Sequence, residues 1–283
     1  MYKIVYNVSM KVGVFCNKQT KKFIPIRDGL VKALTSRGIS YETYYAIEEI
    51  GQPDVLIVLG GDGTILKAAI DAGRRGIDLM GVNSGNLGFL TEFEGEQLEK
   101  AVDLICGNYD VEERSVLEVR AAGKVFYALN EAVFQRRYEE GADDNVIEIS
   151  AYIDGKKVDG FVGDGIIVST PTGSTAYSLS AGGPILTPDI RAFILTPICA
   201  HSLHNRPIVY SNESEMRVDL SEAENKASLF CDGKFCGAFG RNDEIFVRRA
   251  DFAVRFVKSK DNNFFDKLLF KLNKWSGQRR ERS

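Results

Sequence analysis

The first third of the chain alternates short, continuously apolar runs with segments of helical spacing. Runs that are apolar at nearly every position predict strands buried on both faces, as in a parallel sheet flanked by helices. These runs are residues 12–15, 54–59 and 78–82. Between them, residues 23–36 and 65–72 have helical spacing, and Gly73 is predicted to end the second helix. This order of elements predicts a doubly wound α/β domain.

From about residue 113 the pattern changes to short β-branched segments separated by turn signals. The predicted strands are 116–120, 125–129, 146–153, 166–170, 209 onward, 227–231 and 244–247. Asp154-Gly155 and Asp232-Gly233 are dipeptides typical of hairpin turns. The pattern predicts a mainly antiparallel β-rich domain with one helix near residues 175–181. We therefore expect three regions: residues 1–115, 116–250 and a C-terminal segment, 251–283.

The C-terminal segment has the pattern of a basic amphipathic helix. Its apolar residues share one helical face and are interleaved with three lysines. They are Phe264, Phe265, Leu268, Leu269, Leu272 and Trp275, with Lys267, Lys271 and Lys274 between them. Such a helix can bind a membrane surface, but packing against its own protein is the commoner role. We expect this segment to pack back on the first domain.

Composition and charge narrow the class of protein. The 283 residues are 44% hydrophobic and 27% charged, the balance of a soluble globular chain. Against 39 acidic residues there are 36 basic ones, which argues against a nucleic-acid-binding protein. No run approaches the ~20 apolar residues that span a bilayer. The five scattered cysteines favour reduced thiols in a cytoplasmic protein over a disulfide framework or a metal site at Cys199, His201 and His204.

The glycine-rich run Gly60-Gly61-Asp62-Gly63-Thr64 stands between a predicted buried strand and a helix. Glycines at such a turn allow unusual backbone conformations and close approach of a ligand, and a helix N-terminus attracts anions. The run is neither a Walker A loop nor a complete dinucleotide-binding fingerprint. Asp62 would repel phosphate unless it holds a cation or accepts a proton from an attacking hydroxyl. The alternative is that Asp62 only caps the helix.

Two further segments carry polar groups at predicted strand ends. The run 83–89 forms a second glycine loop at the same sheet edge, which by itself is more typical of an ordinary connection. Asn130 and Glu131 follow the apolar run 126–129, and an amide beside a carboxylate suits the neighbouring hydroxyls of a ribose.

The segment 163–184 is the richest in small hydroxyl side chains. A predicted strand leads into a turn containing Thr172, Ser174 and Thr175, and a short helix follows that ends at glycines 182 and 183. Those hydroxyls either cap the helix or, together with Tyr177, surround a flat base and its sugar.

The motifs 60–64, 130–131 and 164–178 resemble, in order and spacing, the NAD kinases of bacteria. Residues 86–91, 205–207 and 268–275 are also similar to that family, so the resemblance covers about residues 11–275. It implies a phosphofructokinase-like α/β domain, a β-rich domain, and a C-terminal segment that returns to the first domain. It also implies a homodimer or homotetramer that uses NAD and ATP, with a divalent cation, expected to be Mg²⁺, and binds neither nucleic acid nor membranes.

The resemblance further implies roles for individual residues. Asp62 would accept the proton of the 2′-hydroxyl of adenosine in NAD, and the loop residues Gly60, Gly61, Gly63 and Thr64 would leave room for phosphate. The implied NAD contacts are Asp62, Gly63, Asn130, Glu131, Asp164, Thr175, Ala176, Tyr177, Ser178, Leu179 and Ser180. Asn86, Phe89, Asn145 and Lys234 fall near further family positions, although Lys234 stands where the family often has glutamine.

Two other functions remain compatible with the residues themselves. A lipid kinase of the diacylglycerol or sphingosine type shares the glycine–aspartate loop and would dock its C-terminal helix on membranes. A dinucleotide-binding sensor without turnover is the second, although a mere binder gains little from a carboxylate that faces phosphate. The sequence therefore predicts an NAD kinase that transfers the γ-phosphoryl group of ATP, with these two as alternatives.

Overall fold

The computed structural model describes residues 10–16, 23–85, 88–107, 109–137, 146–201, 206–221, 226–260 and 263–280, with the backbone alone for 274–280. The chain forms two compact units. The first comprises Met1–Glu113 and Val254–Ser283, and the second is Arg114–Ala253.

The strands and helices are labelled in chain order. The strands are β1 (Lys11–Cys16), β2 (Ser40–Tyr44), β3 (Val55–Leu59), β4 (Asp78–Asn83), β5 (Thr91–Glu94), β6 (Asp110–Ala121), β7 (Lys124–Ala128), β8 (Glu131–Arg136), β9 (Ile147–Ile153), β10 (Lys156–Gly163), β11 (Gly165–Ser169), β12 (Ala192–Ile198), β13 (Ile208–Ser211), β14 (Met216–Asp219), β15 (Ala227–Cys231), β16 (Lys234–Phe239) and β17 (Ile245–Lys258). The helices are α1 (Ile24–Ser36), α2 (Asp62–Arg74), α3 (Leu98–Cys106), α4 (Tyr177–Ser180) and α5 (Phe264–Arg280), with 3₁₀ turns at Ile47–Glu49 and Thr172–Thr175.

The first unit is built on a parallel sheet in the order β2-β1-β3-β4, and β5 adds to β4. Val12 of β1 lies opposite Val55 of β3, and Leu56 of β3 lies opposite Leu79 of β4. The chain leaves β1 for β2 on one side and then crosses to β3 on the other. The strand order therefore reverses between β1 and β3, and open α/β sheets bind ligands beside such a switch point, at the carboxyl ends of the strands.

Helices cover both faces of this sheet. Alternate residues of β1, β3 and β4 form one core with α1 and α3. On the opposite face, Gly81 lies against Ile65 of α2, where a Cβ at position 81 would overlap the isoleucine side chain. The arrangement confirms the doubly wound α/β fold that the sequence predicts.

Two antiparallel sheets packed face to face make the second unit. One has the order β13-β12-β11-β8-β15-β16. The other contains β10, β9, β14, the first part of β17, β6 and β7. Residues from both sheets, including Phe134, Phe193 and Met216, share one hydrophobic core. This confirms the prediction of a mainly antiparallel β-rich domain. The sequence pattern did not predict five of its strands, β8, β10, β12, β14 and β16.

Helix α2 differs from its prediction at both ends. It begins at Asp62 and not near Ile65, so most of the glycine-rich run is its first turn. It also continues through Gly73, which is buried inside it, and the left-handed glycine after the helix is Gly76, at φ +69°. Gly76 supplies the helix-ending conformation because it lies one step beyond the C-cap.

The C-terminal helix lies within the first unit but faces it differently from the prediction. Among its described side chains, those of residues 264–273, the buried one is Lys267, whose Nζ donates to the Thr91 carbonyl at 2.8 Å and to Glu92 Oε2 at 3.0 Å. Phe265 and Leu269 of the predicted apolar face are exposed. A buried ion-pair cluster therefore anchors this helix, because Glu92 pairs with Lys258 at 3.1 Å as well as with Lys267, and the buried lysine charge needs such a partner.

Candidate functional site

The glycine run lies at the carboxyl end of β3, beside the switch point of the parallel sheet. Gly60 needs space, because a Cβ there would overlap the side chain of Thr64, whereas Gly61 and Gly63 have nothing within 4 Å of a Cβ. Gly61 has φ −82°, a value that any residue adopts, so the expectation of an unusual backbone conformation is wrong for this position. Gly61 and Gly63 therefore leave room for a ligand beside the first turn of α2.

Asp62 is held by the second glycine loop of the same unit. Its Oδ2 accepts a hydrogen bond from the Phe89 N–H and its Oδ1 accepts one from the Leu90 N–H, both at 3.0 Å. Gly88 approaches so closely that a Cβ there would overlap the Asp62 carboxylate. The second loop, which the sequence alone treats as an ordinary connection, is thus part of the surroundings of Asp62.

The capping alternative for Asp62 is wrong. The N-cap of α2 is Gly61, and no side chain hydrogen-bonds to the first turn as a cap. An ionised carboxylate can accept about four hydrogen bonds, and the backbone N–H groups of the second loop use two. The side chain is half-buried and retains acceptor capacity toward a ligand.

The first turn of α2 is suited to an anion. The N–H groups of Thr64 and Ile65 close onto the Gly61 carbonyl, while the earliest N–H groups of a helix have no intrahelical acceptor. Together with the helix dipole they attract phosphate oxygens.

In the second unit, a carboxylate that the sequence treats only as a turn residue organises the segment 129–131. The carboxylate of Asp232 accepts hydrogen bonds from three consecutive backbone N–H groups. These are Leu129 at 2.8 Å, Asn130 at 2.7 Å and Glu131 at 3.2 Å. About a hundred residues separate the partners, so no local pattern reveals this role of Asp232. Glu131 is the first residue of β8, and Asn130 lies in the connection before it, so the two side chains are not constrained to opposite faces of one strand.

Glu131 is a buried carboxyl with an unpartnered oxygen. Among the described residues, its Oε2 has no hydrogen-bond partner, although the Tyr177 N–H donates to the same carboxyl group. Burial, reinforced by the nearby charge of Asp232, raises the pKa of Glu131 from 4.5 to about 7. A buried oxygen of this kind is a ready acceptor for a ligand hydroxyl.

The hydroxyl-rich segment packs against the same connection. The Thr170 N–H donates to the Asn130 carbonyl at 2.9 Å, and its Oγ1 donates to the Leu129 carbonyl at 2.6 Å. Ser174 Oγ donates to the Pro171 carbonyl at 2.6 Å. Neither the 3₁₀ turn nor α4 has a side-chain cap, so the capping alternative is wrong here as well. These hydroxyls fix the turn around Asn130.

The side chains of residues 175–180, which lie in the short helix α4 and just before it, differ in their exposure. Tyr177 and Ser180 are exposed, and Ala176 and Leu179 are half-buried. Thr175 is buried with its Oγ1 on the Thr172 carbonyl. Ser178 is also fully buried, and its Oγ shares a 2.9 Å hydrogen bond with Thr196 Oγ1. Tyr177 is accordingly the side chain of this helix best placed to meet a ligand.

Asp164 and Lys234 lie in the same unit with different surroundings. Asp164 Oδ1 forms an ion pair with Arg136 Nε at 2.7 Å, a partner that the sequence analysis missed. Lys234 is exposed at the start of β16. The predicted positions Asn86 and Asn145 lie outside the described residues.

Phe89 of the second glycine loop packs on the C-terminal helix. Its ring centroid lies 6.3 Å from that of Phe264, and Lys271 Nζ lies 5.7 Å from it. Within the described ranges, no three acidic, histidine or cysteine side chains are grouped as a metal site, and no helix is both long and apolar enough to cross a membrane.

Taken together, the fold and these groups define a nucleotide-binding protein with an anion-binding helix start in one unit and a polar, hydroxyl-accepting segment in the other. The family comparisons agree. Residues 3–109 match the ATP-NAD kinase N-terminal domain, and residues 129–259 match the ATP-NAD kinase C-terminal domain.

Curated relatives of this chain are named NAD kinase. An NAD kinase of Desulforamulus reducens is 42% identical over 234 residues, which is 80% of each chain. An NAD kinase of Caldicellulosiruptor bescii is 34% identical over 268 residues, 93% of this chain and 99% of the relative.

Solved structures give the same result. An NAD kinase from Archaeoglobus fulgidus in complex with ATP has a TM-score of 0.78 at 29% identity, covering 93% of this chain and 99% of that one. Yeast NADH kinase complexed with NADH, at 24% identity and a TM-score of 0.77, covers 92% of this chain and 87% of that one, and supports the fold. The chain therefore belongs to the ATP-NAD kinase family, and it is a phosphotransferase of the NAD kinase type.

Proposed function

We propose that this chain transfers the γ-phosphoryl group of ATP to the 2′-hydroxyl of the adenosine ribose of NAD, with Asp62 as the proton acceptor. The observation that carries the assignment is the carboxylate of Asp62 at the start of α2, oriented by two backbone N–H groups while acceptor capacity remains. The ATP complex of the Archaeoglobus fulgidus relative supports ATP as the donor, and the curated relatives named NAD kinase support NAD as the acceptor.

The first unit positions the phosphates of ATP and the proposed proton acceptor, Asp62. Phosphoryl transfer needs little covalent chemistry from a protein, so orientation and charge neutralisation dominate. The open space at Gly61 and Gly63 lets phosphate oxygens reach the first turn of α2. The Phe89 and Leu90 N–H groups hold the Asp62 carboxylate in one orientation, so that a hydroxyl can donate its proton to it.

A divalent cation, Mg²⁺, is compatible with this site. Mg²⁺ commonly uses one or two carboxylates together with substrate phosphates, so a three-carboxylate cluster is not required. The substrate phosphates would be its principal ligands, because Asp62 is the proposed proton acceptor and already accepts two backbone N–H groups. When bound, the cation neutralises the charge that develops on the transferred group.

The second unit supplies the contacts for the adenosine part of NAD. The unpartnered Oε2 of Glu131 accepts a hydrogen bond from a ribose hydroxyl, and the Asn130 amide adds a second polar group. Tyr177 offers its exposed ring to the base. Asp164 and residues 175–180 complete the proposed set, and Ser178 contributes through its backbone because its hydroxyl is bound to Thr196. Phe89, Lys234, Asn86 and Asn145 remain further predicted positions.

We also propose that the enzyme is a cytoplasmic homodimer or homotetramer. A cytoplasmic location agrees with five cysteines that are all free thiols. The exposed Phe265 and Leu269 of α5 are apolar surface of the kind that subunits cover.

The decisive experiment is one coupled assay. The purified chain is incubated with NAD, ATP and Mg²⁺, and NADP is measured with an NADP-specific dehydrogenase. We expect NADP to form only when ATP is present, and parallel reactions with polyphosphate or NADH define the donor and acceptor.

A lipid kinase and a sensor make different predictions. A lipid kinase would phosphorylate diacylglycerol and sediment with vesicles that contain it, whereas we expect this protein to stay in the supernatant. A sensor would bind NAD in calorimetry and form no NADP. Either result would contradict the proposed transfer.

A further inference from the structure

The hairpin of β15 and β16 brings two cysteines together. Cys231 pairs with Lys234 across a two-residue turn, Asp232-Gly233, with positive φ at both turn residues, as in a type I′ turn. The pairing register shifts by one residue farther along, so that Cys236 is the extra residue of a bulge. A bulge bends its strand and redirects the extra side chain.

The two thiols interact and differ in exposure. Cys231 is buried, with 5% of its surface exposed, whereas Cys236 is half-buried. The Cys236 thiol donates to the Lys234 carbonyl at 3.4 Å, and the neighbouring Cys231 thiol is the main cause that lowers the pKa of Cys236, to about 7. The same interaction between the thiols, followed by burial, raises the pKa of Cys231. The more accessible sulfur is thus the better nucleophile, and a second thiol stands beside it.

This pair is directly linked to the proposed NAD-binding segment. Asp232 follows Cys231 in the chain, and its carboxylate holds the backbone N–H groups of Leu129, Asn130 and Glu131. Its own N–H donates to the Glu131 carbonyl at 3.0 Å. Any change in the turn therefore moves the carboxylate that positions the proposed ribose contacts.

We propose that Cys231 and Cys236 form a reversible disulfide that weakens NAD binding, an inference that rests on the proposed function. The oxidant is a peroxide. The Cys236 thiolate attacks hydrogen peroxide, the O–O bond breaks, and with one proton the products are a sulfenic acid and water. The Cys231 thiol then attacks the sulfenic sulfur, a second water leaves, and the S–S bond forms. A small-molecule thiol such as dithiothreitol supplies two electrons and two protons to reverse the reaction.

Closing the bond changes the hairpin. The two sulfurs must approach from non-bonded contact to bonding distance, which draws together the strand ends next to the Asp232-Gly233 turn. A disulfide with a partly exposed sulfur, here that of Cys236, is more readily reduced than a buried one, which suits reversible regulation.

The experiment compares wild type with Cys236→Ser, Cys231→Ala and the control Cys199→Ser, which removes the exposed cysteine outside this hairpin. Each protein is treated with hydrogen peroxide and then with dithiothreitol. Activity is measured before and after each step, and peptide mass spectrometry tests for a 231–236 linkage that is two hydrogens lighter than the dithiol.

We expect peroxide to lower kcat/KM for NAD by about tenfold in wild type and in Cys199→Ser, mainly through KM, and dithiothreitol to restore it. Cys236→Ser and Cys231→Ala should keep their activity under the same treatment. The inference is overturned if no 231–236 linkage forms, or if both hairpin variants lose activity as wild type does. The untreated activity tests the proposed function separately, since it is independent of the linkage.

Discussion

The two units each use an aspartate to hold a neighbouring segment by its backbone N–H groups, and they differ in what the carboxylate has left to offer. Asp62 accepts two such hydrogen bonds, from Phe89 and Leu90. Asp232 accepts three, from Leu129, Asn130 and Glu131. A carboxylate has about four acceptor positions, so Asp232 has fewer of them left for a ligand than Asp62 has.

Position relative to open space separates the carboxylate proposed to react, Asp62, from the one proposed to position a segment, Asp232. Beside Asp62, Gly61 at the N-cap of α2 and Gly63 in its first turn both face open space. Asp232 instead lies in a tight hairpin turn and acts through the segment it holds. In the second unit the oxygen left for a ligand belongs to Glu131, whose Oε2 has no partner among the described residues.

The largest effect is expected at Asp62. Asp62→Asn removes the proposed proton acceptor and should lower kcat about 10²–10⁴-fold in the coupled assay, because that is the usual contribution of a general base. The matched control is Asp71→Asn, which removes a carboxylate from the same helix, where it pairs with Arg75. Calorimetry should show NAD binding retained in both variants. Wild-type turnover in Asp62→Asn would show that the carboxylate only positions the loop.

A second variant tests whether the orientation of Asp62 matters. Gly88→Ala places a Cβ where the Asp62 carboxylate lies and should displace it, with a loss of about 100-fold in kcat/KM. The control is Gly85→Ala in the same loop, since a Cβ there meets nothing within 4 Å. Equal losses in the two variants would contradict a specific role for the close approach.

The positioning role of Asp232 predicts a smaller loss, confined to NAD. Asp232→Asn keeps the turn preference but offers one acceptor oxygen in place of two, so at least one backbone hydrogen bond is lost. We expect the KM for NAD to rise about tenfold with little change in the KM for ATP. Asp154→Asn is the control, because Asp154-Gly155 is a hairpin turn of the same kind in the same unit. A tenfold fall in kcat at unchanged KM would assign Asp232 a different role.

The smallest effect concerns the pH dependence at Glu131. Because the pKa of this buried carboxyl is about 7, kcat/KM for NAD should rise a few-fold as the pH passes through 7 and the carboxylate ionises. Glu131→Gln stays neutral and should lack this step. A pH profile of the variant that matched that of wild type would assign the step to another group.

The same burial makes a prediction about stability. A raised pKa means that the folded state favours the protonated carboxyl, so this contribution is complete below pH 4.5 and is lost as the pH rises through about 7. The difference between these values corresponds to roughly 3 kcal/mol. Denaturant unfolding at pH 5 and pH 8 should show a smaller fall in stability for Glu131→Gln than for wild type.

Local pattern was sufficient for much of the fold. The buried strands β1, β3 and β4 were predicted because strands covered on both faces are apolar at nearly every position. β2 was not, since its sequence SYETY is mostly polar and only its last residue is buried. The edge position of β2, which tertiary structure alone decides, explains the missing pattern.

Local sequence pattern was also insufficient for the C-terminal helix. Part of its predicted apolar face packs, since Phe264 lies on Phe89 and Leu268 is half-buried. Phe265 and Leu269 are exposed, however, and the fully buried side chain among those described is Lys267. The partner, Glu92, lies 175 residues away in sequence. Only the folded chain brings the two charges together, and Lys267 can be buried because Glu92 and the Thr91 carbonyl accept its hydrogen bonds.

By itself the sequence determined the fold class, the family motifs and the glycine run that contains Asp62, because these depend on residue type and spacing within a few turns of chain. The tertiary structure decided that Asp62 is held by Phe89 and Leu90, that Asp232 organises Leu129–Glu131, and that Glu131 keeps an unpartnered oxygen. Hydrogen bonds between residues far apart in the chain leave no periodic signal. They exist only once the strands and turns have placed donor and acceptor within about 3 Å of each other.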